Sequence, residues 1–95
     1  VENDETTQIG HDRTEKVGRN ENVTIGDNQS ETIGSAKTVT VGTDFRLTAG
    51  DSITLTVGLS TLVMKKDGTI IVNGRTIDVV GSDHIQLDSK RIDLN

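Results

Sequence analysis

Glycine recurs at Gly10, Gly18, Gly26, Gly34, Gly42, Gly50 and Gly58, seven times at a spacing of eight without a slip. The residue before each glycine is small or β-branched and apolar: Ile9, Val17, Ile25, Ile33, Val41, Ala49 and Val57. One position earlier stand Gln8, Lys16, Thr24, Thr32, Thr40, Thr48 and Thr56. Asp or Asn follows within two residues of nearly every glycine, as at Asp12, Asn20, Asp27, Asn28, Asp44 and Asp51. A fixed period of this kind outranks other sequence signals in deciding a fold.

Inside the octad the apolar residues alternate with threonine, as in Val39-Thr40-Val41 and Ile53-Thr54-Leu55-Thr56-Val57. A period of two describes a strand with one apolar and one polar face. Helical periodicity is nowhere sustained. The glycine and the polar residues after it form a corner. A left-handed backbone there costs a non-glycine residue roughly 1–2 kcal/mol, and Asn and Asp support corners by bonding nearby backbone groups. The repeating unit is a short strand plus a tight turn, which stacks into a β-solenoid.

Counting the glycine as position 8, positions 3, 5 and 7 share one face. Position 3 carries Glu5, Arg13, Glu21, Gln29 and Lys37, then Phe45 and Ile53; position 5 carries Thr7, Glu15, Val23, Glu31, Val39, Leu47 and Leu55. Turned inward, this face is charged in the first half and dry from about Val39 onward. Buried charge is costly unless paired or hydrated, so water, ions or pairs of Arg13 and Lys37 with glutamates are expected in the first half. The candidate structural core is Ile9, Val17, Ile25, Ile33, Val41, Phe45, Leu47, Ile53, Leu55 and Val57.

Composition decides what this face can do. Of 95 residues only 31% are hydrophobic, and Phe45 is the sole aromatic residue. A compact monomer of this length relies on large side chains that this chain lacks. Disorder, however, goes with few β-branched residues, and here Val, Ile and Thr recur in phase. A lone solenoid would leave strand edges open, and repeats gain stability when neighbours bury them. Several identical chains wound together are therefore expected, in a number that the repeat alone does not give.

After Gly58 the octad is lost while strand and turn units continue through Lys66-Asp67-Gly68, Asn73-Gly74 and Gly81 to Ile92-Asp93-Leu94. Asp-Gly and Asn-Gly also make hairpins. With no separate hydrophobic face to pack elsewhere, corners of a continuing solenoid are the expectation. Residues 1–58 are then the octad shaft and 59–95 its continuation towards a tip. The chain opens on Val1, already inside the repeat, as a fragment of a longer polypeptide would.

No chemistry-bearing constellation stands out. Cysteine is absent, which removes disulfides and thiolate metal sites. A net charge of −5 argues against a nucleic-acid face, which needs cations to neutralise phosphates. His11 sits in a corner, and His84 is opposite in parity to Ile85 and Leu87, so neither is expected to hold a metal although three symmetry copies of one histidine could. Glu15 and Glu31 repeat as solvating acids and build no groove of the kind glycoside cleavage requires. Calcium-binding solenoids have period nine, and the Thr-x-Thr ladder of an ice-binding face is broken by Asn22, Ser30 and Arg46. No catalytic residue, metal or cofactor is expected, and the chain reads as a structural element, not an enzyme.

The octads together with Leu62-Val63-Met64-Lys65-Lys66-Asp67-Gly68-Thr69-Ile70 resemble the C-terminal region of VgrG proteins, the valine-glycine-repeat spikes of type VI secretion systems related to cell-puncturing spikes of contractile phages. The segment ending Ile92-Asp93-Leu94-Asn95 fits the same likeness. Departures are Glu2 at a glycine position and Ala49 at a valine position. The resemblance implies an all-β, intertwined homotrimeric triple-stranded β-helix, each octad advancing by about one strand spacing of 4.8 Å to give a needle on the order of 50 Å. It also implies a PAAR-type cap or effector at the Asn95 end, attachment to the secretion tube through N-terminal domains, and transient contact with a target membrane. Such a protein assembles in the bacterial cytoplasm and is then delivered into a target cell. A phage baseplate spike, and a tail-fibre or lyase β-helix acting on polysaccharide, are the alternatives; the last would require a sugar groove that one phenylalanine does not line.

Overall fold

The computed structural model describes residues 8–94; Val1, Glu2, Glu5, Thr7 and Asn95, named above, lie outside the described residues. The chain divides into two units, Val1–Thr40 and Val41–Asn95. In the first, straight runs alternate with bends at Gly10-His11, Gly18-Arg19, Gly26-Asp27 and Gly34-Ser35. Among the described residues of this unit no strand ladder forms within the chain. The backbone N–H and C=O groups of these described residues, which must be paired whenever they are buried, find no backbone partner in their own chain.

The second unit opens with two more octads, bending at Gly42-Thr43 and Gly50-Asp51. It then folds on itself. Strands β1 (Ser52–Val57), β2 (Ser60–Lys65) and β3 (Ile70–Asn73) form a three-stranded antiparallel meander in the order β1-β2-β3. The register pairs Ile53 with Met64, Leu55 with Leu62 and Val57 with Ser60, then Leu62 with Val72 and Met64 with Ile70. Beyond β3 the chain bends at Arg75-Thr76, Ser82-Asp83 and Lys90 without further strands among the described residues.

Two turns make the meander, and both correct the expectation of solenoid corners. Gly58-Leu59 is a two-residue loop with φ of 53° at Gly58 and no positive φ at Leu59, the pattern of a type II′ hairpin turn, whose twist matches that of the strands it joins. Lys66-Asp67-Gly68 is a three-residue loop: the Gly68 N–H donates to Lys65 O at 3.1 Å, and the Lys65 N–H to Thr69 O at 2.9 Å. Gly68, at φ 96°, takes the left-handed place that closes such a loop. The Thr69 N–H donates to Asp67 Oδ1 at 3.0 Å, bracing the turn. At the open end of the hairpin, the Lys66 N–H donates to Asp51 O at 3.0 Å and Lys66 Nζ lies 3.3 Å from Asp51 Oδ1.

No described residue is buried, and only Ile53, Thr61, Val63 and Gly74 are half-buried. The chain exposes 10621 Å², where a compact chain of 10.2 kDa exposes roughly 5,300 Å². About half of this surface is what a self-sufficient domain would have hidden. The described residues form no buried core of their own.

Candidate assembly interface

The octad face is built by parity. Side chains at positions 3, 5 and 7 project together because neighbours along a strand alternate sides. Through Gly42, position 7 is the better shielded: Ile9, Val17, Ile25, Ile33 and Val41 are 44–48% exposed, against 59–68% for Val23, Val39, Phe45 and Leu47 at positions 3 and 5; in the last octad the order reverses, with Val57 79% exposed and Ile53 half-buried. Four charged members of the face meet in two pairs: Arg13 lies 3.9 Å from Glu15 and Lys37 pairs with Glu31. Arg46 and Asp44, at positions 4 and 2, pair at 3.4 Å on the other side.

The octad glycines require a different explanation from the one their spacing suggests. Among the described glycines only Gly58 and Gly68 have positive φ. Gly10, Gly18, Gly26, Gly34, Gly42 and Gly50 do not, and a Cβ at any of them would meet no atom of the chain within 4 Å. Backbone handedness therefore does not demand glycine at these corners. What remains is room for something approaching from outside the chain, a use of glycine where backbones come close.

The meander adds a face that its linear sequence hides. Directly paired residues of antiparallel strands lie on the same side. One side thus presents Ile53, Leu55 and Val57 of β1, Leu62 and Met64 of β2, and Ile70 and Val72 of β3, apolar throughout except at Ser60. The other presents Ser52, Thr54, Thr56, Thr61, Lys65 and Asn73, polar except at Val63 and Ile71. Reading along the chain found Ile53, Leu55 and Val57 but missed Leu62, Met64, Ile70 and Val72. The signal was present: apart from Ser60, residues of this face equally far from Gly58-Leu59 on its two sides are both apolar. The expectation that this segment lacks its own hydrophobic face is corrected by the register, because the face exists only once the chain folds back.

His11 and His84 are both exposed, and among the described residues no three His, Cys, Asp or Glu side chains gather as metal ligands. The Asp67 pKa is lowered by hydrogen bonding from Thr69, side chain first and backbone N–H second. Gly81 is the crowded glycine: a Cβ there would lie 2.7 Å from Ile85 Cγ1 and 2.8 Å from His84 O. No helix among the described residues is long and apolar enough to cross a membrane.

An all-β chain with no buried residue among those described, an exposed apolar face on its meander and octad backbone from Gly10 to Gly50 without described partners lacks within itself the cover that its apolar side chains require. Residues 1–70 match the family model described as the bacteriophage T4 gp5 C-terminal trimerisation domain, and the chain belongs to that family. No curated protein matches it. The family fixes the oligomer as a homotrimer and the fold as an all-β domain of the β-helix type. The likeness to the C-terminal region of VgrG and phage spikes agrees with this assignment.

Proposed function

We propose that the chain is a shaft segment of the membrane-puncturing spike of a type VI secretion system, in the manner of VgrG. The observation that carries this reading is a backbone from Gly10 to Gly50 without partners of its own among the described residues, inside a chain of a phage-spike trimerisation family. Three such chains wound together pair every strand above and below, so that bending or stretching the shaft loads many backbone hydrogen bonds at once. The work is mechanical: sheath contraction drives tube and spike through a membrane, and the needle resists buckling. No bond is made or broken by this chain, and no cofactor takes part.

In this reading the Asn95 end receives a PAAR-type cap or an effector, and domains before the octads join the secretion tube. The protein assembles in the bacterial cytoplasm and crosses to the target cell with its cargo. A phage baseplate spike is the second reading, favoured by the phage origin of the family description. Deleting the octads from the full-length protein in its own host separates them. Loss of tube protein from the medium and of killing of neighbouring cells is the expected result. Unchanged secretion with loss of infectious particles on prophage induction overturns it in favour of the phage spike.

A further inference from the structure

The homotrimer is a property of the family; where along this chain three copies first grip one another is not. The octads and the meander differ in the one respect that governs this. Among the described residues, the octads from Gly10 to Gly50 have no backbone hydrogen-bonded partner in their own chain, so an isolated copy gains no such bond by adopting them. The meander pairs its own strands and closes its own turns, so an isolated copy can sample it, three strands with a hydrophobic face being about the least that independent stability needs. Its apolar face is also continuous with the octad interior, since Ile53, Leu55 and Val57 occupy positions 3, 5 and 7 of the last octad.

We propose that the meander is the clasp of the trimer: the face of Leu55, Leu62, Met64 and Val72 in each copy packs against the same face of two other copies, and the octads wind together afterwards. The occupant is a second and third copy of this chain. The surplus of exposed surface over a compact monomer and the unbroken apolar parity across Asp51 both require a cover of the same length and phase, which a copy supplies. A folded clasp also fixes register. Octads related by a shift of eight residues are nearly equivalent, and without a unique start three chains could wind one octad out of step.

The proposal rests on the trimer, and its test separates the two. The chain has no cysteine, so Leu62→Cys and Ile71→Cys each introduce a single thiol, on opposite faces of the meander. In one chain these positions are similarly open, 36% and 39%, so any contrast in labelling reports the other copies. In the assembled full chain, Leu62→Cys is expected to react at least tenfold more slowly with a water-soluble maleimide than Ile71→Cys, while denaturant abolishes the contrast. A trimeric mass with equal labelling, or with Ile71→Cys the slower, overturns the clasp and leaves the trimer standing. A monomeric mass with both thiols reacting freely overturns both. Pulsed hydrogen exchange during refolding tests the order: protection in residues 52–73 should rise together with trimer mass and before protection in residues 12–41. Octad protection appearing first refutes the sequence of events.

Discussion

Among the described residues, the octads from Gly10 to Gly50 have no backbone partner within their own chain, whereas each strand from Ser52 to Asn73 has at least one. Both regions are written in the same alternating code of Val, Ile, Leu and Thr. The difference lies in their glycines. An octad glycine ends a strand without reversing it, and the next strand sets off with its edges unpaired. Gly58 and Gly68 take positive φ and reverse the chain, so each strand meets the one before it. A repeat thus becomes intermolecular or intramolecular according to the handedness of a few corner residues.

The largest test of this contrast lies in the octad charges. If Lys37 and Glu31 are enclosed by the trimer, removing one partner strands the other, at a cost of about 3–5 kcal/mol; left in water, the pair is worth about 0–1 kcal/mol. Lys37→Met is expected to fall in the upper range and Lys37→Met with Glu31→Leu to recover most of the loss. Denaturant unfolding at fixed chain concentration measures both. A loss below 1 kcal/mol for the single variant would mean a wet lumen.

Glycine substitutions come next in size and should invert between the regions. At Gly58 the constraint is positive φ, which Ala resists at about 1–2 kcal/mol and Asn tolerates better. At Gly34 φ is not positive, and the constraint is room for another copy. Gly58→Asn should therefore melt above Gly58→Ala, whereas Gly34→Asn should melt below Gly34→Ala. The same ranking at both sites would erase the distinction drawn here.

Smallest is the contribution of Asp67. Its pKa is lowered in the folded chain by Thr69, so its stabilisation is present above the ordinary carboxylate value and is lost as pH falls through the lowered one. Asp67→Asn should remove a slight acid sensitivity of the meander, read as the difference in melting temperature between neutral and strongly acidic pH.

Much of this was legible in the sequence because the octad states both its period and its parity. Ile53, Leu55 and Val57 fall in phase with Val39 and Val41, and the face they share needs no coordinates to be seen. The Lys37–Glu31 and Arg13–Glu15 pairs follow from the same parity. Leu62, Met64, Ile70 and Val72 were not legible that way, because their face depends on the register across Gly58-Leu59, a relation between strands and not along one. The octad glycines misled for a related reason. Their spacing reads as a demand of backbone handedness, while their φ and empty surroundings place the demand outside the chain.

That no described residue is buried within one chain bears on how much of the protein a cell must make. A product that exists only as three copies together accumulates, at low supply, as the cube of free chain concentration, so halving that concentration cuts assembled shafts about eightfold by mass action. Above the threshold the same law leaves few free chains. At low supply the yield of assembled trimer is therefore far more sensitive to chain concentration than that of a monomer would be.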